Sequence, residues 1–135
     1  MTIPKAFITL GALAMVACSD GTGTSGSGVD VEVVSVERIM YLGDTPAFVF
    51  TLENRGAATA EHVTVDVDAI RSGTTVGHAV TDAPDLSPGE RAVTEPALLL
   101  QVTSHSDYHC YRYRVRSYDG RGQELSDRSS SEVCT

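Results

Sequence analysis

The 135-residue chain has no tryptophan, only eight other aromatic side chains and a single lysine, Lys5. A core must therefore be built mainly from valine, leucine and alanine. No apolar run reaches the roughly 20 residues that a membrane-spanning helix needs. The longest, Ala6 to Ala17, is broken by Thr9 and Gly11. No window of ten or more residues keeps a clean helical period, which argues against amphipathic helices, and no self-similarity at 20–50 residues suggests a solenoid. There is no Gly-x-Ser-x-Gly elbow, and the acids are scattered rather than paired at a cleft, so hydrolase and glycosidase chemistry has no residues to stand on. Cations are scarce. Beyond Lys5 there are nine arginines against eighteen acidic residues, a formal charge of −9 for residues 18–135. Such a surface repels phosphate backbones, which argues against a nucleic-acid partner.

What is present begins with a targeting pattern. Lys5 precedes the apolar stretch, which has the length of a signal-peptide core and ends in Met15-Val16-Ala17-Cys18. This ending resembles the lipobox of bacterial lipoproteins, in which an aliphatic residue and two small or β-branched ones precede an obligatory cysteine. The resemblance implies removal of residues 1–17 and acylation of Cys18, palmitate included, so that the lipid is the membrane anchor. An ordinary secretory signal with a free Cys18 is the alternative. Ser19 to Gly28 (SDGTGTSGSG) has no apolar residue and reads as a flexible tether, with a mean reach on the order of 17 Å. In lipoproteins an aspartate directly after the cysteine favours inner-membrane retention. Ser19 stands there instead, which by the same resemblance points to the outer membrane.

The remaining residues, 29–135, suffice for one domain with one core. They read as seven short strands separated by turn signals, the pattern of an all-β immunoglobulin-like Greek-key sandwich. Val29, Val31 and Val33 alternate with acids, and then Val34 and Val36 take the other parity, which predicts a bulge or a switch of sheets near Val33-Val34. Phe48, Phe50 and Leu52 form the inward face of the second strand, and Val63, Val65, Val67 and Ala69 that of the third. Thr75 to Thr81 is a weaker fourth strand. Ala92 to Thr103, interrupted at Pro96, suits an edge or a bend but not a central strand. Tyr111, Tyr113 and Val115 alternate with Arg112, Arg114 and Arg116, and Gln123 to Cys134 returns after the Asp119-Gly120-Arg121-Gly122 turn.

The segments Phe50-Thr-Leu-Glu-Asn54-Arg-Gly56, Ala60-Glu-His-Val63-Thr-Val65-Asp-Val67 and Leu86-Ser-Pro88-Gly89-Glu90 are similar to bacterial immunoglobulin-like domains of the CARDB type, named for cell adhesion. The resemblance covers roughly residues 31–118. It implies a binding or spacer module without catalytic residues, in which Asn54, Gly56, Pro88 and Gly89 are turn formers.

Two juxtapositions follow from this reading. The third and sixth strands of such a sandwich are antiparallel neighbours, so Asp66 and Asp68 should face Arg112, Arg114 and Arg116 across the ladder. A solvated set of ion pairs is the simple reading, and an anion-binding stripe the functional one. If Cys18 carries lipid, Cys110 and Cys134 are left as a pair in an oxidising compartment. Pairing that starts from Tyr118 and Glu124 leaves them opposite or one diagonal apart, and a bulge would bring them into register. Ser104-His105-Ser106-Asp107-Tyr108-His109-Cys110 concentrates hydroxyls, an acid and imidazoles. However, adjacency in sequence is not triad geometry, and His105 and His109 are only weak metal candidates on a loop. His62 and His78 read as solvent-facing. The expectation is a non-catalytic, cofactor-free envelope lipoprotein that binds a protein or another envelope component rather than a small molecule. The alternative is a structural spacer or accessory subunit of a larger assembly.

Overall fold

The computed structural model describes residues 28–135; the targeting segment, Cys18 and the linker up to residue 27 lie outside the described residues. Two antiparallel sheets pack face to face. One is built from β1 (Val31–Tyr41), β2 (Thr45–Asn54), β5 (Arg91–Val93) and β6 (Ala97–Leu98), with β2 central. The other runs in the order β4 (Thr74–Ala83), β3 (His62–Arg71), β7 (Cys110–Tyr118) and β8 (Glu124–Ser129), and β9 (Val133–Cys134) also pairs with β7. Among the described residues there is no α-helix, only a 3-10 turn at His105–Asp107.

The strict alternation of β2 and β3 decides where the core lies. Phe48, Phe50 and Leu52 point to one side of their sheet, and Val63, Val65, Val67 and Ala69 to one side of theirs, and all are fully buried. Each large apolar side chain so buried contributes about 1.5–3 kcal/mol. The predicted bulge is present: Val33 pairs with Leu52 and Ser35 with Thr51, leaving Val34 unpaired. The β3–β4 hairpin closes through Ser72 and Gly73, both at positive φ, the geometry that matches strand twist in a two-residue turn.

The structure has nine strands where seven are expected, because two of the anticipated strands are split. Residues 92–103 break at Thr94-Glu95-Pro96. Proline has no N–H to donate, and Thr94 turns inward, its hydroxyl accepting from Phe50 N at 3.1 Å while its own N–H donates to Phe50 O at 2.9 Å. The flanking pieces, β5 and β6, both remain on β2 as the sheet edge. The last strand breaks at Ser130, whose hydroxyl accepts from Tyr113 N at 2.9 Å in place of a backbone carbonyl.

These irregularities set the cysteine register. Tyr118 pairs with Glu124, but the pairing slips after Ser117 and slips again past Ser130, so that Cys110 comes directly opposite Cys134. The two are joined in a disulfide.

Both flanks of the sandwich are closed by side chains rather than by ladders. On one, Arg128 of β8 reaches Asp30 at 2.7 Å and Glu32 at 3.2 Å. On the other, Thr81 of β4 donates to Glu95 O at 2.7 Å, and Gln101 accepts from His78 N at 3.1 Å. Exposed edges are thereby occupied without extra strands.

Asn54, completely buried at the end of β2, holds the loops of that end together. Its Oδ1 accepts from Gly56 N (2.9 Å) and Asp30 N (3.3 Å), and its Nδ2 donates to Ala58 O (2.8 Å) and Leu86 O (3.0 Å). Its backbone bonds Glu90 O and Gly89 N. Gly56 is required beside it, because a Cβ there would lie 2.1 Å from Gly28 O. In the Leu86–Glu90 segment Leu86 is buried, Gly89 sits at φ +80°, and Glu90 N donates to Ser87 O, the arrangement of a Pro-Gly type II turn.

Removing the Asn54 side chain takes the partner from Gly56 N, Asp30 N and Ala58 O, each costing on the order of 1–3 kcal/mol when not rescued by water, while Leu86 O keeps its bond from Ala60 N. Asn54→Ala should destabilise the domain by about 3–5 kcal/mol in urea unfolding, and Asn54→Asp should not restore it, because a carboxylate cannot donate to Ala58 O and Leu86 O. Replacing both Cys110 and Cys134 by serine should cost about 3 kcal/mol for a closed loop of this length. Hydrogen exchange should then accelerate first in residues 130–135, with β3 still protected.

Candidate binding surfaces

The outer face of the larger sheet carries the expected charges. Asp66 lies opposite Arg114 and Asp68 opposite Arg112 in the β3–β7 ladder. The ion pairs, however, do not all follow the register. Arg112 contacts Asp68 directly at 3.7 Å, whereas Arg116 reaches diagonally to Asp66 at 2.8 Å. Arg114 turns away from Asp66 and forms a two-pronged pair with Asp127 on β8, with Nε 2.8 Å from Oδ1 and Nη2 against Oδ2. His78 Nδ1 adds a 2.7 Å contact to Asp68.

Every arginine of the stripe thus has a carboxylate partner, and a groove of about 190 Å³ between them is lined by both signs of charge. An anion would have to displace these carboxylates, so the face is balanced rather than poised for one. Asp127 was not foreseen because it lies opposite Arg116 in the β7–β8 ladder, and Arg114, itself opposite Ser129, reaches it diagonally. The Arg114 guanidinium, by its hydrogen bonds, holds the Asp127 carboxyl below the ordinary range, against a smaller opposing effect of burial.

The polar segment 104–109 is spent on structure. Ser104 and Asp107 form a reciprocal capping box around the 3-10 turn, and the Asp107 carboxylate accepts from Thr103 N, Thr103 Oγ1 and Ser104 N at 2.9–3.1 Å. The bonds from Thr103 are the main reason its carboxyl titrates low. His105 lies edge-on to Phe48, with Nε2 2.9 Å from Ile39 O. A carbonyl only accepts, so Nε2 carries the hydrogen and Nδ1 accepts from the Tyr108 hydroxyl. Burial pushes the Tyr108 phenol up, opposed by a hydrogen bond from Arg38.

With both ring nitrogens engaged, His105 has no lone pair to offer a metal, while His109 stands exposed at the start of β7. The trio of potential ligand atoms that does converge among the described residues is Cys110, Glu132 and Cys134, and its two sulfurs are bonded to each other. His62 and His78 are exposed, as anticipated.

At the end where the chain enters the domain, an open groove of about 620 Å³ is lined by Glu61, His62, Thr64, Tyr118, Asp119 and Gly120. Asp119 is tied into the β7–β8 turn, accepting from Arg121 N and Gln123 N at 2.9 Å. The rings of His62 and Tyr118, 6.1 Å apart, are part of its lining.

The depressed Asp127 titration gives a signed prediction. A carboxylate whose folded pKa lies below its unfolded value of 3.8 stabilises the fold above that value, and the stability is lost as pH falls through the folded pKa. Asp127→Asn should therefore flatten the loss of stability as pH falls below about 4 while changing little at neutral pH, where an exposed pair is worth only ~0.2–1 kcal/mol. Urea titrations across that range test it.

Compared with known proteins, the chain matches no protein-family model, and no curated protein is significantly similar to it.

Proposed function

We propose that the chain is a cell-envelope lipoprotein, anchored by acylation of Cys18, that displays a non-catalytic immunoglobulin-like binding module of the CARDB type. The strand order and the turn chemistry support the module. The sheets run β1-β2-β5 and β4-β3-β7-β8, and Asn54, Gly56, Pro88 and Gly89 occupy the turn roles that the resemblance assigns them. The observation that carries the non-catalytic reading is the fate of the segment richest in reactive groups. His105, Asp107 and Tyr108 are consumed by a capping box and by bonds to Ile39 and to one another. Recognition is then left to loop tips and sheet surfaces, as in other sandwich domains.

The lipobox pattern and the Ser19–Gly28 tether support the anchor, and Ser19 supports an outer-membrane destination. With a reach on the order of 17 Å, such a tether keeps the domain close to a bilayer while leaving it free to reorient.

Expression in a bacterial host with a radiolabelled fatty acid tests the anchor. The mature protein should begin at Cys18, carry the label and fractionate with outer membranes. Cys18→Ser should lose the label and shift the chain from the membrane to the soluble fraction. An unlabelled mature protein with a free Cys18 thiol would identify an ordinary secretory signal instead.

A further inference from the structure

The two outer faces of the sandwich differ in kind. In an antiparallel ladder directly opposite residues share a face, so the partners of inward Phe48, Phe50 and Leu52 point inward, and the residues between them point out. Along the smaller sheet the outward rows are Tyr41 with Thr45, Ile39 with Ala47 and Leu98, Glu37 with Val49, and Thr51 with Val93. Leu100 continues the β6 side beyond Leu99, which is buried. Against the charged face of β3 and β7, this one is apolar at its distal half.

Leu100 is 74% exposed and Tyr41 36%, while Ala47 is fully covered between its neighbours. The adjoining hairpin tip adds Leu42, 84% exposed and held at φ +54°, a conformation that leucine rarely adopts. A patch in which several large apolar side chains adjoin marks an interaction surface more often than chance exposure does.

Its rim is acidic. Glu37 lies beside Val49, Asp44 is exposed in the hairpin turn, and Glu95 is exposed between β5 and β6. The arginines associated with this sheet's outer face, Arg55 and Arg91, belong to the opposite end, where both contact Glu53. Position adds a constraint. β1 enters beside Asn54 and ends at the patch ten residues later, roughly 33 Å away at about 3.3 Å per residue. A domain tethered at residue 28 holds this surface away from its own point of attachment.

We infer that the distal outer face of β1, β2 and β6, centred on Ile39, Tyr41, Leu98 and Leu100, docks a basic amphipathic protein segment. Apolar side chains of the segment lie on the sheet, and its lysines or arginines meet Glu37, Asp44 and Glu95. Charge selects this occupant over the alternatives. A second copy would press the same acidic rim against itself, and an anionic bilayer would repel it, whereas a basic segment has its charges complemented and its encounter steered by the net charge of −8. The inference rests on reading the domain as a binding module and names the chemistry of its partner. It does not depend on the lipid.

The test uses the full chain carrying Cys18→Ser, titrated by calorimetry with an 18-residue amphipathic helical peptide of leucine and lysine. Binding in the micromolar range is expected, and it should weaken as salt is raised. Leu100→Asp should weaken it about tenfold or more, and Glu37→Lys with Glu95→Lys should weaken it and remove most of its salt dependence. Val80→Asp, at an exposed apolar residue on the outer face of the other sheet, should leave it unchanged. All these side chains are at the surface, so the thermal midpoint should hold in each variant.

Equal binding of a scrambled peptide of the same composition, or of the Leu100→Asp variant, would overturn the inference, as would absence of binding. Self-association abolished by Leu100→Asp, or adsorption to phosphatidylcholine vesicles without peptide binding, would overturn it in favour of a second copy or a bilayer. Because lipidation at Cys18 is read separately, its failure and the failure of this surface are distinguishable.

Discussion

One buried amide governs the end of the sandwich where the chain enters. Asn54 has no exposed surface, yet all of its side-chain hydrogen-bonding groups are engaged, with segments that are far apart in sequence. A buried polar group is tolerable only when fully paired, and full pairing fixes the relative positions of everything it touches. Asp30 is thereby held at the start of β1, Gly56 and Ala58 on the way to β3, and Leu86 before β5. The close packing of Gly56 on Gly28 follows from the same constraint. So does the Ala60–Leu86 bridge between the two connecting loops. The apolar core supplies the larger stabilising free energy, but it is not directional, and the amide determines which loop meets which.

The same economy recurs elsewhere: side chains complete pairings where the backbone ladder stops. Thr94 takes up the Phe50 amide beside Pro96, Ser130 takes up the Tyr113 amide where β8 ends, and Gln101 caps His78 on the β4 edge. Arg128 ties the two sheets at the other flank through Asp30 and Glu32. Short hydroxyl and amide side chains serve this purpose because they can replace a backbone donor or acceptor at close range. The Phe50 and Tyr113 amides thus stay paired where the strands break, and the second of those breaks is what carries Cys134 into register with Cys110.

Much of the fold was legible because strand periodicity is a strong signal when one face is buried. The inward sets of β2 and β3, the irregularity near Val33-Val34 and the edge position within residues 92–103 follow from alternation, turn residues and Pro96, and the pairing of β3 with β7 from the topology expected of a seven-strand sandwich. The strand count was not legible, since splitting depends on Thr94 and Ser130 finding particular amides across the sheet. Nor were the ion-pair partners. Opposite position predicted Asp66 with Arg114, but long arginine side chains choose among neighbours, and Asp127 offers Arg114 a two-pronged partner. The apolar outer face was missed for a related reason. Ile39 and Leu98 look like ordinary strand hydrophobics until the register shows that they flank Ala47 in one row on the side away from the core.

By itself the sequence determined the class of structure and its charged and apolar rows, because two-residue periodicity and turn chemistry are local properties of the chain. It also determined the acidic balance and the cysteine arithmetic, which are counts. Tertiary structure alone decided which rows face each other, which reactive side chains are consumed by internal bonds, and which apolar residues remain on the surface. Those outcomes depend on register and on sheet-to-sheet packing, where a slip of one residue exchanges the inner and outer faces. Such a slip lies between distant segments, where no local pattern records it.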